Sequence, residues 1–599
     1  MLYSILKSRR FMLLLVCTCV IGANHVVANP TTALEDYVDR PDPAFNFEPV
    51  IPPIFLPGLT FHVLQVTSQE WRNPDEVDRT LWKHFLTIAV PDTVVSNTSL
   101  IFISGGDNND GIPDLGSDEA EALALFSIAS GTVVSIIQQI PNQPLVFADD
   151  PDNPRKEDRL VAFTFDKATR TGDYEWPAYL PMVKSAVRGM DVVQNFVPAA
   201  TGGTVGVDQF VVSGFSKRGV TAWLTAAIDE RVIAVAPGVF DVLNFAPSIE
   251  NHRASYGVFS DALDPFQEFD LLDRVRIPEM RDLREIIDPF SYVDRLTMPK
   301  YILNSSGDEF YPPDSSLFYV DALQGETLLR YGPNTNHGGD NGGLETALQG
   351  LLAWYQNIVS GAQRPEISWN LEEDDGTLRV TASGTPLQAL LWEATNPVAR
   401  DFRFDQTGPI WVPTPLLPVD GEFIAQVEPP ASGWKAFFVE LIFPGVVGSP
   451  ESYTTSVFIM PKERPFRLDQ PINNPRSALF WTLEFAAALG EAPWYSPTFD
   501  AETLQSFLPV RVFDQFISTL EEGREALGYR RSKHDRALRH CLGVRLNVEA
   551  EEIDWYSPSQ LFFRGQQRFL WKHWNRAHQA FLKGKPLEAS LVCAALNSQ

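Results

Sequence analysis

Cysteine is nearly missing from this chain: four in 599 residues, with none between positions 29 and 540. That gap excludes a thiol nucleophile and a cysteine-bound metal from everything upstream of Cys541. No H-E-x-x-H, C-x-x-C or G-x-x-x-x-G-K pattern occurs, which counts against zinc chemistry and nucleotide use, and no cofactor is expected. Positive charge is also short, 48 Lys and Arg against 76 Asp and Glu, for a net charge of −28. Such a field repels nucleic acid and anionic membrane surfaces, so neither is expected as a partner. Long apolar runs are lacking as well. The apolar stretch Phe11 to Ala23, behind Lys7, Arg9 and Arg10, is too short to span a bilayer. With small residues at Val26-Val27-Ala28 it reads as a secretion signal over 1–28, so the chain is expected to be secreted or periplasmic, without membrane insertion after processing. Cys541 and Cys593 then remain, and whether they pair is left open.

What is present is an ordinary globular composition, 44% hydrophobic and 21% charged, in a chain too long for one core. LTFHVLQVTSQEW and HFLTIAVP alternate as antiparallel strands do. SLIFISGG, the helical stretch Glu119 to Ala129 and the strand Thr132 to Ile137 then predict a parallel βαβ unit. The polar, proline-bearing stretch 141–176 reads as an insertion near a site, and Trp176 to Phe196 as a long amphipathic helix. VIAVA, KYILN and TLLRY predict further core strands, with a cap over 238–290 and a closing helix from Leu344 to Ile358. The expected fold is α/β, a mixed sheet flanked by helices across 29–362. A β-sandwich is expected over 363–464, from alternating segments around the Asp375-Gly376 hairpin signal. A helical domain is expected over 465–599, where Phe513, Phe516, Ile517, Leu520 and Leu527 share one helical face, as do Phe563, Leu570, Trp574, Ala577 and Phe581.

The segment VVSGFSKRG is the chemical centre. A β-branched run ends on Gly-x-Ser and VTAWLTAAI follows as a buried helix, which places Ser216 at the apex of a strand–turn–helix. The pattern departs from G-x-S-x-G, because Arg218 stands where a small residue belongs and Gly219 comes one place later. A serine hydroxyl needs a base and a carboxylate that fixes the base's tautomer. Between His252 and His534 the chain has one histidine, His337, in the loop after the last core strand. The acid is expected after the preceding strand, where Asp308 comes first, Asp314 is a reserve, and Glu309 reads as solvated or capping. The oxyanion hole is expected from the amide of Lys217 and that of Gly106 or Asp107. Glu157, Asp158 and Trp176 are candidate substrate-binding residues; a carboxylate among them would suit a substrate's amino group. GDNNDGIPDLG partly resembles a calcium loop, with Asn108, Asp110 and Asp114 as oxygen ligands, but lacks the full spacing, and a turn is the reading preferred.

GFSKRGVTAWLTAAIDERV closely resembles the serine motif of the PhoPQ-activated pathogenicity-related proteins, a family that includes autocrine proliferation repressor proteins. ISGGDN, RKEDRLVAFTFD, YEWPAYLPMVKSAVRGMD, GDEFYPPDSSLFYVDAL and NTNHGG match collinearly, and the resemblance covers roughly 35–460. It implies an exported α/β-hydrolase-like protein with Ser216, Asp308 and His337 as the triad. The expected function is therefore a serine hydrolase acting on an amide or ester of a small-molecule or peptide substrate. Peptides are slightly favoured, since a cap, an acidic insertion and accessory domains restrict access. Two other expectations stand beside it: a secreted signalling or binding protein with an idle triad, and a protein partner held by the C-terminal helices.

Overall fold

The computed structural model describes residues 30–466 apart from 258, 373–375 and 446–449, together with parts of 478–546. The expected signal segment, the Asp375 turn position, Cys541, Cys593 and the Phe563–Phe581 stripe lie outside the described residues. Among the described residues no helix is long and apolar enough to cross a membrane.

The strands that matter are β1 (Leu59–Glu70), β2 (Leu81–Pro91), β3 (Thr98–Ile103), β4 (Val134–Ile137), β5 (Gln209–Phe215), β6 (Val232–Gly238), β7 (Lys300–Ser305) and β8 (Thr327–Gly332). They lie in the order β1-β2-β4-β3-β5-β6-β7-β8. The first two pairings, β1 with β2 and β2 with β4, are antiparallel, and the rest from β4 to β8 are parallel. This is an α/β-hydrolase-like mixed sheet. The parallel strands read as unbroken apolar runs because helices cover both faces. β3 and β7 are buried along their whole length. On one face Tyr179–Ala200 and Lys217–Ile228 pack over Val212, Val235 and Ile302. On the other Gly343–Ser360 places Leu351 and Trp354 against Leu303 and Leu328. Loops leaving the carboxyl ends of β3, β5, β7 and β8 therefore meet along one edge of the sheet, where ligand sites of open α/β sheets form.

The region 363–464 is antiparallel, as expected, yet it is not closed off from the first sheet. Leu329 on β8 pairs with Thr454 on Glu451–Thr454, and Trp434–Phe443, Gln388–Asn396 and Val412–Pro415 follow in order. Among the described residues one sheet of 15 strands results, and a second sheet of four strands, including Thr377–Ala382 and Glu422–Gln426, packs on it through Leu378, Val380, Phe423 and Ala425. Further on, Ala478–Ala488 and Leu520–Gly528 are helical. Phe513 lies outside the described residues, and the rest of the expected stripe is broken: Val510–Val512 and Gln515–Ile517 pair as antiparallel strands, and the helix starts only at Leu520. Period alone could not separate the two, since β-branched and aromatic residues there suit a short strand equally well.

A buried ion pair ties the segment after β7 to the antiparallel region, and a hydrogen bond from the same arginine reaches the expected cap. Arg400 Nη2 donates to Asp314 Oδ2 at 2.7 Å and Nη1 to Ser255 Oγ at 2.6 Å, and both members of the pair are 2% exposed. Asp314, the reserve for the acid, is thus committed elsewhere. Burial would raise its pKa, but the Arg400 charge outweighs this and holds it below the usual carboxylate range. Arg400→Met is expected to cost about 3 kcal/mol, because it leaves the buried Asp314 carboxylate only Asn251 Nδ2 at 3.2 Å and the Arg464 guanidinium at 3.8 Å. The urea midpoint measures this, and an unchanged midpoint would count against the pair.

Candidate active site

β5 ends at Phe215, and Ser216 has φ 59° and ψ −126° before the helix Lys217–Ile228 begins. A non-glycine residue rarely sits there; the turn is strained, and it stands the hydroxyl clear of the sheet. Two glycines permit it. A Cβ on Gly214 would come 2.5 Å from Arg218 O, and one on Gly219 would come 2.7 Å from Gly238 O. The close approach to β6 thus falls at Gly219 and not at Arg218, which is why this chain tolerates SKRG in place of a small residue. Arg218 points away, its Nε donating to Ile140 O at 2.6 Å.

His337 follows β8, and its Nε2 lies 2.9 Å from Ser216 Oγ. Its Nδ1 lies 2.8 Å from Asp308 Oδ2, in the loop after β7. With Nδ1–H donating to the carboxylate, Nε2 is left to accept from the hydroxyl. Asp308 is 4% exposed, and its other oxygen accepts from the Phe310 amide at 2.7 Å. The Phe310 ring lies 4.2 Å from the imidazole, centroid to centroid, and the His337 amide donates to Glu309 at 2.9 Å. Glu309 is half-buried and caps no described helix; it braces the histidine loop. Burial would lower the His337 pKa, but the charge and hydrogen bond of Asp308 prevail and hold it above 6.5.

The expected oxyanion donors fare differently. The Lys217 amide is in the first turn of its helix, where no intrahelical acceptor exists. The Asp107 amide already donates to Asp110 Oδ2 at 2.6 Å, so of the Gly106/Asp107 pair only Gly106 is left. The Asp107 carboxylate pairs with Lys156 and accepts from Asn109, as a surface turn does.

Glu157 and Asp158 stand beside the serine, but paired. Arg218 donates to both Glu157 oxygens at 2.8 and 2.7 Å, and the Lys217 ammonium lies 2.7 Å from Glu157 and 3.1 Å from Asp158. Burial would raise the Glu157 pKa; hydrogen bonds and charge from Arg218 and Lys217 overcome it and hold the carboxyl far below its usual range. Gln143 completes a clasp: its Oε1 accepts from the Glu157 amide at 2.7 Å, while its Nε2 donates to Glu157 at 2.5 Å and to Gly106 O at 3.0 Å. Glu157, Arg218 and Gln143 thereby join the serine helix to the loop after β3. Trp176 does not line the site. It is 3% exposed, set against Trp71 and Phe147, with the Arg72 guanidinium 3.9 Å from its ring centre.

The profile of the PhoPQ-activated pathogenicity-related proteins matches residues 34–403. The chain belongs to this family. It is 34% identical over 464 residues to autocrine proliferation repressor protein A of Dictyostelium discoideum, covering 73% of this chain and 92% of that one. Among solved structures, acetyl xylan esterase 1 from Thermoanaerobacterium aligns at 16% identity over 54% of this chain and 93% of its own, with a TM-score of 0.37. The acylaminoacyl peptidase of Pyrococcus horikoshii aligns at 11% identity over 52% and 41%, with a TM-score of 0.30. The family match spans all three loops that carry Ser216, Asp308 and His337, and it also includes Glu157 and Arg218.

Proposed function

We propose that this chain is a serine hydrolase that cleaves an ester or amide bond through an acyl-enzyme. The observation that supports it is the unbroken relay from Ser216 Oγ to His337 to a buried Asp308. Ser216 Oγ attacks the carbonyl carbon as its proton passes to His337 Nε2, and Asp308 steadies the resulting imidazolium. The negative oxygen that forms is met by the amides of Lys217 and Gly106. His337 then gives the proton to the leaving alcohol or amine as the carbon–heteroatom bond breaks. In the second half His337 deprotonates a water, which attacks the acyl carbon and returns Ser216. Preference for a peptide rests on the cap and accessory segments alone. Glu157 and Asp158 add nothing to it, because their charge is matched by Lys217 and Arg218.

The test is covalent capture of the full chain by a fluorophosphonate probe, with the labelled residue located by mass spectrometry. Capture at Ser216 is expected. No capture, or capture elsewhere, overturns the reading in favour of a binding protein with an idle triad.

A further inference from the structure

Asp241 lies in the loop that leaves β6 and is 3% exposed. Among the described residues it pairs with no cation. Two phenols hold its carboxylate: Oδ1 accepts from Tyr319 at 2.7 Å and Oδ2 from Tyr331 at 2.6 Å, and both rings are buried. Tyr331 lies on β8, ahead of His337, and Tyr319 in the segment that runs on from Asp308 after β7. Burial pushes the Asp241 carboxyl up to about 7 against the pull of the two phenols, and the charges of Asp308 and Asp314 add to the rise. Packing alone would be served by an apolar side chain, since a carboxylate out of water is costly.

The same loop props the serine turn. Gly238 O accepts from the Ser216 amide at 2.8 Å, and the Val239 amide donates to Leu303 O on β7 at 2.7 Å. Val239 stands there at φ 43°, a region that β-branched residues rarely enter and that persists only where neighbours hold it. Asp241, just beyond, supplies such a hold. One carboxylate thus joins the loops that carry Asp308 and His337 to the loop that props Ser216. We propose that Asp241 is a positioning residue for the hydrolysis, setting these loops against one another through Tyr319 and Tyr331. It touches no substrate, and the proposal rests on the hydrolase reading.

The experiment compares Tyr331→Phe and Tyr319→Phe with the unmodified full chain on p-nitrophenyl acetate, with active sites counted by fluorophosphonate capture at Ser216. Each variant deletes one oxygen and keeps the ring. In Tyr331→Phe kcat per captured site is expected to fall about 10–30-fold, with KM changed by less than about twofold, because a small displacement of His337 spoils attack and not binding. The midpoint of kcat/KM against pH should also move down, since a slackened Asp308 contact lets burial lower the His337 pKa. Tyr319→Phe should act the same way from the Asp308 side, and it carries the test if Tyr331→Phe does not fold. Asp241→Asn, which keeps one accepting oxygen, should retain more of the rate than Asp241→Ala, and equal losses would overturn the proposal. A structural role alone would lower the number of captured sites and leave kcat per site and the midpoint as they were. That result, or a fall in kcat with the midpoint unmoved, would also overturn it. Failure to capture the unmodified chain at Ser216 would instead overturn the hydrolase reading, and the positioning role with it.

Discussion

Turnover of an acyl ester such as a p-nitrophenyl acetate is expected to fall about 10⁵-fold in His337→Gln and in Ser216→Ala, with the double variant no slower than either single one. The non-additivity is the informative part. Ser216 and His337 share one proton across a 2.9 Å hydrogen bond, so removing either leaves the other with nothing to do. Losses that simply multiplied would mean that the two act independently. The pH profile carries the sign of the third group. As base, His337 must be neutral, so kcat/KM should rise with pH through a midpoint above 6.5, since Asp308 holds the imidazolium against the effect of burial. Asp308→Asn should lower the rate by about 10⁴-fold and move that midpoint down, because burial and the Lys217 charge, both lowering, then face only the charge of Asp158. Stability runs the other way. A raised histidine pKa stabilises the fold fully below the unfolded value of 6.5, and that contribution is lost as pH rises through the folded pKa. Activity should therefore appear over the same pH window in which this increment of stability disappears.

Much of this site could be read from one dimension because its parts follow strands. Buried parallel strands announce themselves as β-branched runs, and the loops after β5, β7 and β8 carry Ser216, Asp308 and His337 in chain order. What pairs with what across the sheet is another matter. The segment Glu451–Thr454 has the same alternation whether it closes a separate sandwich or extends the first sheet from Leu329, and only the register distinguishes them. The helix Glu157–Thr171 was hidden for a local reason. Lys156 offers no capping oxygen and Glu157 enters at φ 50°, so the usual start signals are missing where the chain turns polar. Trp176 illustrates the converse. A tryptophan beside an acidic stretch reads alike as a wall or as core, and an aromatic cluster with Arg72 made it core.

The departure at Arg218 from a small residue leads to the last expectation. Glu157→Ala should lower kcat about 10³-fold with KM changed by less than about twofold. The reasoning rests on what the clasp holds. Arg218 passes so close to the loop after β3 that a Cβ on Gly105 would come 2.7 Å from its Nη2, and Gln143 fixes Gly106 O from the other side. Glu157 binds both, so it sets where the Gly106 amide stands relative to Ser216. An oxyanion exists only in the transition state, and a donor displaced from it costs kcat and not substrate affinity, by about 10²–10³-fold. Removing the carboxylate also leaves Lys217 with Asp158 alone and Arg218 with no carboxylate, both side chains being at most 12% exposed. Repulsion between them then adds to the displacement. Glu157→Ala with Arg218→Ala relieves that repulsion and should be less impaired than the product of the two singles predicts. Glu157→Asp should recover part of the rate. A purely structural role would lower the thermal midpoint and leave kcat per folded molecule unchanged, which is the result that would dismiss the clasp as a positioning device.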